Sequence, residues 1–137
     1  MTATRRVIAA LQGLGCQVAL DDVGTGHSGL SSILRLGVDV IKIDKIFIDS
    51  LGSERNSAAI VATLVELARN MRMEVVAEGV ESFEQVADLR ARGIRAAQGY
   101  VFAPPLPASS FLTLLDAHDP ATVAPGAQTG ARGHRVA

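Results

Sequence analysis

The sequence has few cysteines, little net charge and no long apolar run, and each of these features argues against certain classes of protein. Cys16 is the single cysteine among 137 residues, so no disulfide can form within the chain, which suits a reducing cytosol. The net charge is -1, with acidic and basic residues interspersed, and this balance gives no electrostatic footprint for DNA or for an anionic membrane. No apolar run reaches the roughly 18 residues that cross a bilayer.

The composition is that of one globular domain followed by a tail. Hydrophobic residues make up 48% of the chain and charged residues 20%, so the chain can bury a core. Residues 2–6 lead directly into a helical pattern and not into a secretory signal. We therefore expect a cytoplasmic protein with one domain over residues 1–117. The composition beyond it, rich in Ala, Gly, Pro and Thr, predicts a disordered tail over 118–137.

Hydrophobic periodicity predicts alternating strands and helices along the whole domain. Helices are expected at 3–14, 28–36, 57–71, 82–93 and 109–115, and strands at 17–20, 38–43, 74–77 and 94–97. In the longest helix the expected buried stripe comprises Ile60, Leu64, Leu67 and Met71, with Val61 and Val65 beside it. Short connections imply parallel strands covered by helices. The predicted fold class is α/β: a partial (β/α)8 barrel of about four βα units, where a full barrel needs about 250 residues.

Polar residues fall at or near the end of every predicted strand. Asp21 and Asp22 end the first strand, Lys42 lies in the second, Glu78 ends the third and Gln98 ends the fourth. In parallel barrels the chemistry lies at the carboxyl ends of the strands. Paired carboxylates suit a hard divalent cation such as Mg²⁺ or Mn²⁺, and a lysine held charged beside them can orient an anionic group or a water. The pattern therefore predicts a cation site at this edge of the sheet.

Each of these residues also has a purely structural interpretation. Asp21 and Asp22 fit a solvated turn in which Asp22 caps the next helix. The lysine in the second strand, Lys42, fits a structural ion pair with Asp44 or Asp22. Gln98 fits a hydrogen bond within its own loop.

The segment 24–29 matches the dinucleotide-binding pattern G-x-G-x-x-G and lies between a strand and a helix, with Asp44 about 20 residues further on. That would predict nicotinamide nucleotide binding. Two acids stand where a pyrophosphate needs a neutral approach, the following helix is short, and Lys42 interrupts the second strand. These features argue against the nucleotide interpretation.

Four ordered motifs resemble those of a known family. The stretch L-D-D-V-G-T-G-H-S-G-L resembles the D-D-F-G-T-G-Y-S-S-L loop of EAL domains, the cyclic-di-GMP phosphodiesterases. The similarity continues through V-D-V-I-K-I-D-K-I-F-I, V-V-A-E-G-V-E and A-A-Q-G-Y-V-F-A-P-P-L-P, at family-like spacing over about residues 4–115. The resemblance implies a (β/α)8-type barrel that hydrolyses one phosphodiester of cyclic-di-GMP, giving linear pGpG, with two Mg²⁺ or Mn²⁺ ions and a metal-activated water.

The same resemblance implies a role for each candidate residue. Asp21 would bind one metal ion and Asp22 the second or both, so that two ions about 4 Å apart clamp the attacking and leaving oxygens. By the same resemblance, Lys42 would hold the attacking water or a phosphate oxygen.

Three further residues have implied roles around this metal pair. Glu78 is similar to the carboxylate that serves as general base or supports the metal site. Gln98 is similar to an amide that positions water or substrate. Glu81, the second acid of E-G-V-E, resembles the residue that supports the loop or the guanine.

The sequence also departs from the family pattern. The E-A-L triplet is absent, as are the asparagine and glutamate that family members carry on earlier strands, so the resemblance is to the C-terminal half of the domain. Val23 replaces the usual phenylalanine, and His27 replaces the usual tyrosine, as a substitute ligand or as a solvent-facing loop residue.

A half barrel leaves its sheet edges open. We therefore expect either a truncated fragment of a longer product or a chain that closes its edges with a second copy or another chain. Half of the metal shell is absent, so the isolated chain is expected to lack activity. A second interpretation thus stays open: a catalytically inactive EAL remnant that binds nucleotide or a protein partner as a regulator.

Overall fold

The computed structural model describes residues 2–24 and 30–118, and within them helices and strands alternate as the sequence predicts, except for one additional short helix, Lys45–Asp49, before the longest helix. The helices are α1 Ala3–Gly13, α2 Leu30–Leu36, α3 Lys45–Asp49, α4 Arg55–Met71, α5 Phe83–Ala91 and α6 Ala108–Ala117. The strands are β1 Ala19–Val23, β2 Val40–Ile43, β3 Glu74–Ala77 and β4 Ala96–Ala97. No helix within these two ranges is both long and apolar enough to cross a membrane. The predicted tail lies, from residue 119 onward, outside the described residues.

The four strands form one sheet in the order β1-β2-β3-β4, and every neighbouring pair is parallel. Sequential strands therefore lie side by side, each reached through a helical connection, which is the repeat of a (β/α)8 barrel. The predicted α/β class with four parallel strands is confirmed. All four carboxyl ends meet at one edge of the sheet, where the predicted site residues lie.

The core lies between one face of the sheet and the covering helices. Ile41 and Ile43 of β2 have no exposed surface and pack in the same cluster as Val61, Leu64 and residues of the neighbouring helices. Lys42, which lies between the two isoleucines, necessarily points to the opposite face. The alternation along β2 thus separates a helix-facing apolar side from a polar side.

Most of the stripe predicted for α4 faces the core. Val61 and Leu64 are buried, and Val65, Leu67 and Met71 pack partly buried against the core, whereas Ile60 is 40% exposed. The buried face also includes two small residues, Ser57 and Ala68. Small residues allow the helix to approach its neighbours closely, and the buried Ser57 hydroxyl is satisfied because the Ser50 hydroxyl lies 2.7 Å from it. A pattern built on large apolar residues alone therefore finds most of the contact face but omits the small residues Ser57 and Ala68.

Helix α5 begins with a capping box at Ser82. The Ser82 hydroxyl accepts from the Gln85 backbone N–H at 3.2 Å, and the Gln85 side chain accepts from the Ser82 backbone N–H at 3.1 Å. This fixes the start of α5 directly after the loop that carries Glu78 and Glu81.

At the opposite edge of the sheet, Asp39 joins α1 to β2. One carboxylate oxygen, Oδ2, accepts from Val18 N at 2.8 Å and from Gln12 Nε2 at 3.0 Å. The hydrogen bond from Gln12, followed by that from Val18, holds the pKa of Asp39 below its ordinary value. Because the folded pKa lies below the unfolded one, the stabilisation is present above the unfolded pKa and is lost as pH falls through the folded pKa.

We expect Asp39→Asn to lower the free energy of unfolding by about 1 kcal/mol near neutral pH, because the side chain is partly exposed and an uncharged oxygen remains as acceptor. The deficit should shrink as the pH falls from neutrality through the lowered pKa of Asp39, where the wild-type carboxylate becomes protonated. Urea unfolding of the wild type and of Asp39→Asn, from neutral to acidic pH, measures the difference in the free energy of unfolding. A deficit that is independent of pH would show that the charge of Asp39 contributes nothing.

Candidate metal and active site

Asp21 and Asp22 lie inside β1, at an irregularity that brings both carboxylates to one side. The predicted strand ended at residue 20, but pairing with β2 is interrupted after Leu20 and resumes at Val23. Asp22 has a φ of 53°, in the left-handed region that aspartate and asparagine tolerate better than most residues. In a regular strand the two side chains would point to opposite faces. The bulge therefore makes the two carboxylates converge.

Lys42 lies between carboxylates from both neighbouring strands. Its Nζ is 3.2 Å from Asp21 Oδ1 on the β1 side and forms an ion pair with Glu78 on the β3 side. The side chains of Lys42 and Glu78 are each only 18% exposed, whereas that of Asp21 is 61% exposed. The suggested pairing with Asp44 is wrong, because the Asp44 carboxylate accepts from Ile46 N at 2.8 Å and caps α3.

The ionisation of the three groups follows from burial opposed by ion pairing. Burial raises the pKa of Glu78, and this effect outweighs the hydrogen bond from Lys42, so its pKa lies above the ordinary value. Burial also raises the pKa of Asp21, but hydrogen bonds with Glu78 and Lys42 bring it below the ordinary value. Burial would lower the pKa of Lys42, yet its bonds to Glu78 and Asp21 raise it. The ammonium group is therefore held charged.

The carboxylates of Asp21, Asp22 and Glu78 form a group whose ligand oxygens lie within 4.8 Å of one another. Three carboxylates this close repel unless a cation lies among them, and Lys42 offsets only part of their charge. Carboxylate oxygens are the donors that Mg²⁺ and Mn²⁺ prefer. The donor set therefore fits a hard divalent cation.

Gln98 and Glu81 lie next to this group, around a cavity of about 360 Å³. The cavity is lined by Glu78, Glu81, Gln98, Lys45 and Tyr100, among others. Gln98 is held by its backbone, because its N–H donates to Ala77 O at 2.8 Å and its carbonyl accepts from Val80 N at 3.0 Å. These bonds continue the ladder beyond the ends of β3 and β4, so that Gln98 and Glu78 remain neighbours.

Sequence reasoning missed two residues of this region, Lys45 and Tyr100. Lys45 forms ion pairs with Asp49 at 3.0 Å and with Glu81 at 2.9 Å. The i,i+4 spacing of Lys45 and Asp49, directly after the helix-capping Asp44, was the available signal. Tyr100 is 70% exposed beside the cavity. It lies two positions after Gln98 in the motif Q-G-Y, in which only the glutamine was predicted to be a site residue.

Gly99 permits the close backbone contact on which the Gln98 loop depends. A Cβ at this position would lie only 2.6 Å from the carbonyl carbon of Val80, and closer still to other backbone atoms of that residue. Because the obstacle is backbone, it cannot be relieved by rotation of a side chain. Any larger residue must therefore push the loops of β3 and β4 apart.

We expect Gly99→Ala to lower the free energy of unfolding by about 2 kcal/mol, as overpacking does elsewhere. Gly52→Ala is the matched control, because a Cβ at Gly52 meets no atom within 4 Å. Urea unfolding of both variants makes the comparison. Equal effects at the two glycines would contradict the proposed backbone clash.

The fold is that of a segment of a (β/α)8-type barrel with a carboxylate cluster that could hold a cation at its strand ends, and comparison with known proteins gives the family. Residues 1–105 match the model of the EAL domain, and the chain belongs to that family. The resemblance predicted from the four motifs is confirmed.

Relatives and solved structures agree with this assignment. Cyclic di-GMP phosphodiesterase PdeR of Escherichia coli K12 is 42% identical over 105 residues, which cover 77% of this chain and 16% of that protein. The crystal structure of the EAL domain of Mycobacterium smegmatis DcpA is 39% identical with a TM-score of 0.78, covering 83% of this chain and 51% of that one. A manganese and cyclic-di-GMP complex of Klebsiella pneumoniae BlrP1 is 40% identical with a TM-score of 0.68, covering 74% and 26%. The chain therefore spans about half or less of each of these proteins.

The structure thus brings four of the six predicted site residues into direct proximity: Asp21, Asp22, Lys42 and Glu78. The other two, Gln98 and Glu81, line the adjoining cavity. His27 and residues 25–29 of the glycine-rich loop lie outside the described residues.

Proposed function

We propose that this chain provides the C-terminal half of a phosphodiesterase site that hydrolyses cyclic-di-GMP to linear pGpG with Mg²⁺ or Mn²⁺. The observation that carries the proposal is the convergence of Asp21, Asp22 and Glu78 around Lys42 in a member of the EAL family. The name of PdeR and the manganese and cyclic-di-GMP complex of BlrP1 support the same substrate and cofactor. They favour hydrolysis over an inactive regulatory remnant.

Asp21, Asp22 and Glu78 would hold the metal through carboxylate oxygens. A divalent ion bound there supplies Lewis-acid stabilisation for the negative charge that develops on the phosphoryl oxygens. Asp21 and Asp22 are both exposed, so their carboxylates are accessible to solvent. A dianionic substrate could therefore approach the open side of the cluster.

Lys42 and Glu78 would act on the reacting groups themselves. The Lys42 ammonium is held charged, and it can donate to a phosphoryl oxygen or to the attacking water. Glu78 reaches the same point from β3 and lines the cavity, so its carboxylate can accept the proton that the water loses. Lys42 would thus stabilise the developing charge, and Glu78 would accept the proton.

Gln98 and Glu81 would orient the substrate at the rim of the cavity. The Gln98 amide can both donate and accept, which suits a water or a phosphate oxygen. Glu81 is anchored by Lys45, and its backbone N–H donates to Gln85 Oε1 at 2.8 Å, so its carboxylate has a fixed position. A fixed carboxylate suits the N–H donors of a guanine edge.

The experiment that tests this function is hydrolysis of cyclic-di-GMP in a complete barrel. The family fold has eight strands, and the described residues contain four. We therefore replace the segment of PdeR that aligns with this chain by the residues of this chain. The hybrid should form pGpG with Mn²⁺ and lose this activity in EDTA. A folded hybrid without turnover, under conditions where PdeR is active, would contradict the proposal.

A further inference from the structure

The short helix α3 lies against both loops that carry the carboxylate ligands. Lys45 begins the helix and reaches the loop that follows Glu78, and Phe47, two residues later, reaches the loop that follows Asp22. Neither residue belongs to the carboxylate cluster. The five residues of α3 therefore connect two parts of the site that are more than fifty positions apart in sequence.

The Lys45 contact combines packing with ion pairs. A Cβ at Gly79 would lie 2.6 Å from both Cβ and Cδ of Lys45, so the aliphatic part of this lysine lies directly on the glycine. Its Nζ is 3.3 Å from Gly79 O and 2.9 Å from Glu81 Oε1. The backbone on either side of Gly79 is thus held from one point. This contact therefore also fixes the position of Glu78, which directly precedes Gly79.

The Phe47 contact is apolar and equally close. A Cβ at Gly24, which has a φ of 108°, would lie 2.8 Å from Cζ of Phe47. The ring is half-buried and packs on the hydrophobic core at the same time. It therefore fixes the chain directly after the bulge that turns Asp21 and Asp22 toward each other.

We propose that α3 is a positioning element of the metal site, in which Lys45 and Phe47 set the distance between the Asp21–Asp22 loop and Glu78. The inference rests on the proposed function, because it assumes that these carboxylates bind a divalent cation. Residues that orient metal ligands commonly change metal affinity by about 10- to 100-fold when they are lost. We expect the lower end of that range, since α3 acts through backbone.

Whether Mn²⁺ binding becomes weaker or stronger when the Lys45 charge is removed distinguishes a positioning role from simple electrostatics. Lys45 is a cation near the site, and deleting a nearby positive charge should by itself strengthen the binding of another cation. If Lys45 positions Glu78, its loss must weaken binding instead. Lys45→Met keeps most of the aliphatic contact with Gly79 but removes the charge and the bonds from Nζ to Gly79 O and Glu81 that hold the loop. The two accounts therefore predict opposite changes in Mn²⁺ affinity.

The test is Mn²⁺ affinity, measured on the full chain by the electron paramagnetic resonance signal of free Mn²⁺. Lys45→Met should bind Mn²⁺ about 10-fold more weakly than wild type. Arg92→Met is the matched control, because Arg92 is also a partly exposed cation paired with a carboxylate four positions away, Asp88, at 3.0 Å. It should bind as wild type does. Phe47→Leu is a second, independent variant and should also weaken binding.

The outcomes distinguish this inference from the proposed function. Unchanged or tighter Mn²⁺ binding by folded Lys45→Met would overturn the positioning role, while wild-type binding would leave the metal site standing. A wild-type chain that binds no Mn²⁺ would likewise overturn the positioning role, while formation of pGpG by the PdeR hybrid decides the proposed function separately. If Lys45→Met fails to fold, as judged by circular dichroism, the affinity of Phe47→Leu decides in the same way.

Discussion

Asp22→Asn is expected to reduce Mn²⁺ affinity by more than the roughly 10- to 100-fold that loss of an outer partner costs. Asparagine is the suitable replacement because, like aspartate, it tolerates the φ of 53° that this position adopts. The fold should therefore survive, while one negative charge and one strong oxygen ligand are lost. Titration with Mn²⁺, followed by electron paramagnetic resonance, measures the change directly.

Asp116→Asn provides the matched control for this experiment. Asp116 is an exposed carboxylate on α6, outside the carboxylate group, and its replacement changes the net charge by the same amount. Asp116→Asn should leave the Mn²⁺ affinity unchanged. Equal losses in the two variants would show that Asp22 contributes only to the overall charge, and the assignment of Asp21, Asp22 and Glu78 as ligands would fail.

The second large effect is expected from Lys42→Met in the hybrid with PdeR. Loss of a preorganised group that stabilises developing charge commonly costs about 100-fold or more in turnover. Mn²⁺ affinity should not fall, because the Lys42 ammonium occupies the oxygens of Asp21 and Glu78 that a metal ion would use. Lys42→Met should thus lower turnover while Mn²⁺ binding is retained or strengthened.

A parallel loss of turnover and Mn²⁺ binding in Lys42→Met would contradict this account. It would mean that Lys42 serves mainly to hold the carboxylates in place. The comparison with Asp22→Asn makes the distinction clear, since that variant should lose both properties. Hydrolysis is followed by chromatography of pGpG, and binding by the signal of free Mn²⁺.

The arrangement of the site could be predicted because it depends on strand order. Asp21, Lys42 and Glu78 belong to three sequential strands, and parallel strands bring their carboxyl ends to one edge. The alternation of Ile41, Lys42 and Ile43 also fixed which face the lysine occupies. These conclusions need only the period of the pattern and the direction of the strands.

Details that depend on backbone geometry were not predictable in this way. The pairing of β1 resumes after the two acids because of a bulge, which no apolar pattern records. Lys42 pairs with residues on neighbouring strands, not with Asp44 in its own segment, because Asp44 turns away to cap α3. Helix α3 is itself too short to show a helical period.

The packing of small residues was equally hidden from the sequence. Ser57 and Ala68 lie on the buried face of α4, although neither contributes to a pattern of large apolar residues. Gly99 is required by the carbonyl of Val80, which lies nineteen positions earlier and approaches only in the folded chain. Close approach of this kind is a property of the tertiary structure and not of any local motif.

Formation of pGpG from cyclic-di-GMP by the PdeR hybrid tests the central claim most directly. The account predicts turnover with Mn²⁺, no turnover in EDTA, and no turnover when the hybrid carries Asp22→Asn. A folded hybrid that binds Mn²⁺ yet forms no pGpG, beside active PdeR, would contradict it. The residues of this chain would then make a metal site that does not serve phosphodiester hydrolysis.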